Sequence, residues 1–425
     1  MSWLIVSLLL ILAMCGEPLF VVIGGLALFF FYTVGIDSQA VIIEMYRMTS
    51  APTLIAIPLF TFAGYLLAES KTPERLVRLY RALFGWMPGG LAIVALIASA
   101  FFTAFTGASG ITIIALGGLL YPLLIKENYD ERFSLGLVTT GGSLGLLFPP
   151  SLPLILYAII ASVNVDALFL AGIIPGVLLV LLLSLYSIYK GRKRAVCLSR
   201  PSLGKIISSL METIWILPLP VIILGGIYGG IFTASEAAAV TVVYVIFVHV
   251  FIYKDLKLFK DIPHIAARSM VLVGGILLIL GCALGFTSFL IDEQIPMKLL
   301  DWIRSFISSR IMFLLALNIF LLIVGCLMDI FSAIIVVVPL ILPIAKEFGV
   351  HPIHLGIIFL TNLEIGYATP PVGLNLFISS FRFKKKIPEV YRASLPFLGV
   401  LLIALILITY IPDLSLWLVR LAGLN

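Results

Sequence analysis

Charge is what this sequence has least of. Only 11% of its 425 residues are Asp, Glu, Lys or Arg, while 62% are hydrophobic. A soluble domain carries about 25% charged residues, so with a mean hydropathy of +1.21 an ordinary soluble domain is excluded. Alternating strands of ~10 residues are missing too, which argues against a membrane β-barrel. Cysteine is sparse: Cys15, Cys197, Cys282 and Cys326 lie far apart without CxxC or zinc spacing, and they read as small apolar packing residues. The histidines His249, His264, His351 and His354 do not cluster with acids, and "HPIH" lacks a third metal ligand. No Ser/His/Asp set, phosphate loop or hydrolase metal motif is visible, which argues against an enzyme. The N-terminus "MSWLIVSLLLILAMCGEP" lacks a basic n-region and an A-x-A site, so it reads as a retained membrane segment rather than a signal peptide. Residues 3–34 exceed one straight span, and Gly16-Glu17-Pro18 is expected to break or kink it.

What is present is a series of apolar runs of about 20 residues, each able to cross a ~30 Å hydrocarbon core. The sequence therefore predicts an all-α polytopic membrane protein. Its net charge of +6 sits in short loops and is not a nucleic-acid signal. Of 27 Lys and Arg, 21 fall in loops around 71–81, 126–132, 190–205, 254–268 and 382–392. The other six are Arg47, Lys298, Arg304, Arg310, Lys346 and Arg420. The positive-inside rule makes the first set cytoplasmic, with a cytoplasmic N-terminus and a periplasmic C-terminus.

That assignment constrains two segments. Loops 71–88 and 126–132 share the cytoplasmic side, so residues 89–125 must enter and return, with two limbs of ~17 residues meeting at "TGASG" (106–110). Loops 292–311 and 346–352 share the outer side, so 312–345 is a second re-entrant hairpin with its tip at "GCLMD" (325–329). Two complete spans are the alternative to each hairpin; short limbs and polar tips favour re-entry. Irregular backbone at membrane depth survives only inside protein or beside a water-filled cavity.

The sequence also repeats itself. One constant offset aligns Gly64 with Gly285, Pro122 with Pro343, Gly145 with Gly366, and Pro149-Pro150 with Pro370-Pro371. On the topology above the copies face opposite ways, as in the inverted repeats of secondary transporters. The expected organisation is an N-terminal scaffold helix in 1–50 and a first repeat over 51–190, with arm helix 73–86, hairpin 89–125 and broken helix 133–163. Connecting scaffold helices fill 191–264. A second repeat follows over 265–412, with arm helix 296–309, hairpin 312–345 and broken helix 353–381, and then a tail at 413–425. The arm segments read as amphipathic helices along the membrane surface, or as solvated loops.

A Pro-Pro pair supplies no donors and opens the helix before it. This should free carbonyls at Gly145, Leu146, Leu147 and Phe148, and at Gly366, Tyr367, Ala368 and Thr369. Carbonyls at the negative end of a half-helix suit Na⁺, a hard cation taking oxygen ligands. The tips, through Ser109 and the 325–329 turn, can complete each shell. An ordinary proline kink explains one break; two symmetric breaks, each paired with a tip, favour a site. Asp329 could serve a cation or cap a hairpin limb. Glu364 could be a charge partner, a proton-linked acid or a hydrogen-bond acceptor, because a lone carboxylate at a helix centre is costly. Asn362, Asn375, Ser143, Ser151 and Thr140 could bind substrate or join helices.

Three stretches carry a family resemblance: "GGSLGLLFPPSLPLILYA" (141–158), "GASGITIIALGGLLYP" (107–122) and "DIFSAIIVVVPLILPIAKEFGVHPIHLGIIFLTNLEIGYATPPVGLNLF" (329–377). They resemble the large, DctM-like membrane subunit of tripartite ATP-independent periplasmic (TRAP) transporters, within the ion transporter superfamily. The resemblance implies an elevator-type transporter of the bacterial inner membrane, driven by Na⁺ as coupling ion and needing no other cofactor. It implies an organic anion, commonly a carboxylate, handed over by a periplasmic binding protein. It also implies a small four-helix membrane subunit, expected here as a separate chain. The implied sodium ligands are Gly107, Ser109, Gly145, Phe148 and Pro149 in one copy, and Gly325, Asp329, Gly366, Thr369 and Pro370 in the other. Candidate substrate residues, from the polar atoms near the tips and breaks, are Ser109, Ser151, Asn362, Glu364 and Asn375. Phe148 departs from the pattern, which expects a smaller aliphatic residue there. A stand-alone Na⁺/dicarboxylate symporter and a Na⁺/H⁺ antiporter are the rival readings.

Overall fold

The computed structural model describes residues 17–35, 37, 39–48, 52–87, 89–192 and 203–424. Most of the expected first membrane segment, with Gly16 of its break, and also Cys15 and Cys197, lie outside the described residues. Every regular element among the described residues is helical. Helix α1 (Leu19–Val34) starts directly after Pro18 and is closed by Gly35 in a left-handed cap. Then α2 (Gln39–Met48) follows. The region before residue 50 is therefore not one scaffold helix, because Gly35 ends the first run.

The first repeat contains α3 (Ala56–Glu69), an arm helix α4 (Thr72–Phe84), a hairpin of α5 (Gly90–Thr106) and α6 (Ser109–Lys126), a broken pair α7 (Glu131–Gly141) and α8 (Leu152–Ala161), and the long α9 (Val165–Arg192). Connecting helices are α10 (Leu203–Thr213), α11 (Pro218–Tyr228) and α12 (Ala234–Ile252). The second repeat contains α13 (Asp261–Asp292), arm helix α14 (Ile295–Arg304), a hairpin of α15 (Arg310–Leu327) and α16 (Ile330–Glu347), a broken pair α17 (Pro352–Gly366) and α18 (Leu374–Phe383), and α19 (Ile387–Tyr410). The expected tail at 413–425 is instead largely helix α20 (Asp413–Leu421), whose apolar side buries Leu416 and Val419. Among the described residues eight helices are long and apolar enough to cross a membrane, and two further spans arise if each bent pair is counted as one.

The repeat is visible in the element boundaries. Helices α6 and α16 start, and also finish, at the same offset that aligns the two Pro-Pro pairs. The two breaks, Pro149-Pro150 and Pro370-Pro371, are both cis. Where the broken helices meet, the Ser143 hydroxyl donates to the Glu364 carbonyl at 3.3 Å, and these two residues are themselves equivalent positions of the repeat. Contact between equivalent positions is what a local two-fold axis produces.

Local chemistry fixes the ends of these helices. Asp130 caps α7 by accepting from the Arg132 and Phe133 N–H groups, satisfying donors that have no intrahelical partner. Both arm helices carry proline in the first turn, Pro73 and Pro296, where no donor is lost. Each arm buries one apolar side, Leu76, Val77 and Leu79 in α4 and Leu300 in α14. Each arm is also tied to the far end of its own hairpin, by Arg81 to Glu127 and by Arg304 to Glu347. The exposed Arg304–Glu347 pair is worth about 0.2–1 kcal/mol, so it fixes register more than it stabilises; Glu127 is half-buried.

A stronger link joins α4 to the connecting helices. Arg75 grips Asp255 with both guanidinium nitrogens, and its guanidinium carbon stands 3.8 Å from the centre of the Tyr253 ring. His249 bridges Asp255 (3.3 Å) and the Thr72 hydroxyl (3.2 Å). Side chains of Arg75 and Asp255 are only 11% and 4% exposed, so losing one partner strands a buried charge. Burial pushes the Asp255 carboxyl up, but Arg75 and His249 outweigh it and hold the group below its usual range. A carboxyl with a depressed folded pKa stabilises the fold above its unfolded value of about 4 and loses that contribution as pH falls further. Arg75→Ala should therefore cost about 3–5 kcal/mol, read as a lower thermal midpoint in detergent at neutral pH. The gap between wild type and variant should narrow only in acid.

Candidate functional site

The first break is built from a helix that tightens before it ends. After α7, residues Leu144–Leu147 form a 3₁₀ turn, and the Phe148 N–H donates to the Gly145 carbonyl at 3.0 Å. Gly145 therefore does not present the free carbonyl expected from the sequence, because i→i+3 bonding consumes it. One lone pair of that oxygen is left for a further partner. No backbone donor among the described residues serves the carbonyls of Leu146, Leu147 and Phe148. The Phe148 ring turns away onto α9, where a Cβ at Gly176 would sit 2.8 Å from it. A small residue on α9 thus accommodates the bulky one before the prolines.

The tip of the first hairpin lodges against this break. Gly107 closes α5 at φ +63, and a Cβ there would meet Leu152, the first residue of α8. Thr103 on α5 donates its hydroxyl to the Gly142 carbonyl (2.8 Å) and lies 2.7 Å from the hydroxyl of Thr112 on α6. Ser109 begins α6, and its residue is buried. Thr103, Thr112 and the Gly142 carbonyl thus gather three oxygens around one point, with buried Ser109 at the start of α6. Thr103 and Thr112 are absent from the sequence reading; their signal is a hydroxyl on each otherwise apolar limb flanking the tip.

The second break is tied more tightly. The Gly366 carbonyl accepts from the Thr369 N–H (2.9 Å) and the Tyr367 carbonyl from the Asn375 N–H (3.0 Å). Thr369 also returns its hydroxyl to the Ile365 carbonyl (2.9 Å). Carbonyls of Ala368 and Thr369 have no backbone donor among the described residues. Again the expected set of free carbonyls is reduced by local turns. The hairpin crosses this break at two glycines: a Cβ on Gly366 would lie 2.6 Å from the backbone of Gly325. The Gly373 N–H then donates to the Cys326 carbonyl at 2.9 Å. Asp329 caps α16 through the Ser332 N–H at 3.0 Å and the Ser332 hydroxyl, so of its two candidate roles the capping one is occupied. Its residue is exposed. The Tyr367 hydroxyl accepts from the Ile330 N–H, a second clasp that the sequence reading does not contain.

The candidate substrate residues have different hydrogen-bond surroundings. Asn362 donates to Asn318 (2.8 Å), which in turn donates to Thr409 (3.1 Å), joining α17, α15 and α19. Asn375 donates to the Thr139 carbonyl (3.3 Å), joining α18 to α7 of the other repeat. Both serve helix-to-helix hydrogen bonds, and each leaves its amide oxygen unpartnered. Ser151 follows the first Pro-Pro with its buried hydroxyl unpartnered. Glu364 is 1% exposed and neither carboxylate oxygen has a partner. Pro149, Thr369 and Pro370 stand half-buried at the breaks. No group of three His, Cys, Asp or Glu side chains able to hold a metal occurs among the described residues, so any cation here would rest on carbonyls and hydroxyls.

Comparison with known proteins follows the same lines. The family model described as the DctM component of the tripartite ATP-independent periplasmic transporter matches residues 3–414. A C4-dicarboxylate TRAP transporter large permease protein of Pseudomonas aeruginosa is 39% identical, over 95% of this chain and 94% of the relative. The protein of the same description from Rhodobacter capsulatus is 35% identical over the full length of both. Among solved structures, the YdaH transporter of Alcanivorax borkumensis superposes with a TM-score of 0.61 at 14% identity, covering 91% of this chain and 88% of that one. That likeness speaks for the fold alone. The sequence relationship and the paired breaks together make the chain a membrane transport component, not an enzyme: it belongs to the DctM-component family of tripartite ATP-independent periplasmic transporters.

Proposed function

We propose that this chain imports an organic anion of the carboxylate class, coupled to Na⁺, by an elevator movement. The carrying observation is that two helix breaks, at equivalent positions of the two repeats, each receive the tip of a hairpin. In this reading one Na⁺ sits near Thr103, Ser109, Thr112 and the carbonyls of 142–148, and a second near the 325–329 turn and the Ala368 and Thr369 carbonyls. The hairpins and broken helices form the moving unit, and the arms with the remaining long helices form the scaffold. The carboxylate class is supported by the C4-dicarboxylate in the names of the relatives. A periplasmic binding protein and a separate small membrane subunit complete the system in the inner membrane, with the N-terminus cytoplasmic and the C-terminus periplasmic.

The chain reconstituted with those partners in liposomes should take up succinate at least about tenfold faster under an inward Na⁺ gradient, the effect of about 1.4 kcal/mol of coupling. Equal uptake with and without the gradient would contradict Na⁺ coupling. Pro370→Ala with Pro371→Ala should let the helix continue, withdraw the carbonyls and weaken Na⁺ affinity roughly tenfold, the size of one lost charge-assisted contact. The rival antiporter reading draws on Glu364, whose carboxylate has no partner. It requires Na⁺/H⁺ exchange without organic solute that Glu364→Gln abolishes; the import reading expects no such exchange.

A further inference from the structure

A cavity of about 390 Å³ opens where the ends of α7, α9 and α19 meet, on the side rich in lysine and arginine. Its walls come from both repeats. Three cationic side chains line it, Arg132, Lys190 and Arg392, and none of them forms an ion pair with a described residue. Five other cations on the same side are paired. Arg75, Arg78, Arg81, Arg268 and Lys385 each hold a carboxylate, from Asp255, Glu212, Glu127, Glu69 and Glu131 respectively. The one acid in the cavity wall, Asp130, accepts from two N–H groups at the start of α7. Three lining cations stand against that one lining acid.

The apolar part of the wall is aromatic and braced. Phe133 and Phe397 rings stand 5.4 Å apart, Tyr186 meets Phe397 edge-on at 5.1 Å, and the Lys190 ammonium lies 5.8 Å from the Tyr186 ring centre. Edge-to-face packing of this kind holds rings in place, so the cavity is preformed. Its volume falls in the ~300–1,000 Å³ range of small-ligand sites. Converging cations select an anion, and three of them suit the spread oxygens of a phosphate better than a single carboxylate. Aromatic rings beside lysine and arginine at a helix end mark the depth of lipid headgroups, and basic pockets between cytoplasmic helix ends hold such headgroups.

We propose that this cavity is a binding site for a phosphate-bearing anion, occupied by the headgroup of an anionic phospholipid of the cytoplasmic leaflet. A bound headgroup neutralises the three cations and bridges α7 and α9 of the first repeat to α19 of the second.

The full chain is placed in nanodiscs of phosphatidylcholine mixed equally with phosphatidylglycerol, and the lipids it retains are counted by native mass spectrometry. Wild type should retain phosphatidylglycerol in preference to phosphatidylcholine. One cation near an anionic headgroup is worth about fivefold in binding, so Arg132→Gln with Arg392→Gln should weaken that retention about twenty-five-fold. Lys384→Gln with Lys386→Gln removes two charges from the same side outside the cavity and should leave it unchanged. Thermal unfolding in phosphatidylcholine alone checks that both variants are folded. A parallel arm adds inorganic phosphate to the chain in phosphatidylcholine nanodiscs. Stabilisation of wild type but not of the cavity variant, without phosphatidylglycerol preference, would assign the same chemistry to a soluble source. Neither lipid preference nor phosphate stabilisation, or an equal loss in the control variant, would overturn the proposal.

Discussion

Backbone amides have no water to turn to inside a bilayer, and everything distinctive in this fold follows from two places where the helix ladder is interrupted there. Residues 142–151 and 367–373 leave the helical pattern between the paired half-helices. Such a segment persists only if other parts of the protein cover it. The hairpin tips do so. Thr103 reaches the Gly142 carbonyl at one break, and the Gly373 N–H reaches the Cys326 carbonyl at the other. At its other end each hairpin is tied to its arm, through Arg81 with Glu127 and Arg304 with Glu347. Break, hairpin and arm are therefore linked in series in each repeat.

The two copies solve the same problem with different chemistry. The first uses threonine hydroxyls, and its tip residues Gly107 and Ser109 are buried. The second uses a glycine-on-glycine crossing plus the Tyr367 hydroxyl, and its Asp329, Pro371 and Val372 are exposed. Symmetry governs the backbone, while the side chains at equivalent positions have diverged: Ser143 matches Glu364 and Phe148 matches Thr369.

Much of the architecture is legible in the sequence because its signals are long-range and strong. Two Pro-Pro pairs, two polar tips and a lopsided charge distribution leave few arrangements open. Hydrogen bonding at the breaks is not legible. Proline removes donors, yet the 3₁₀ turn at 144–147 and the Asn375 N–H return partners to carbonyls that the proline rule alone leaves free. From its place near a break Asn362 could bind substrate or join helices, and only the structure shows its amide donating to Asn318. The C-terminal tail carries no assigned element in the sequence reading, and the structure makes Asp413–Leu421 a helix. The basic cavity is invisible in sequence, as Arg132, Lys190 and Arg392 belong to three distant segments.

The central claim is that each tip and break together hold a cation, and the crossing of Gly325 with Gly366 offers the most direct test. Gly366→Ala puts a Cβ 2.6 Å from the Gly325 backbone and must push tip and break apart. Thermal unfolding of the purified chain would be followed in Na⁺ and in choline at equal ionic strength. Wild type should be stabilised by Na⁺, and the variant should lose at least half of that shift while remaining folded in choline. An identical Na⁺ shift in both proteins would contradict the account.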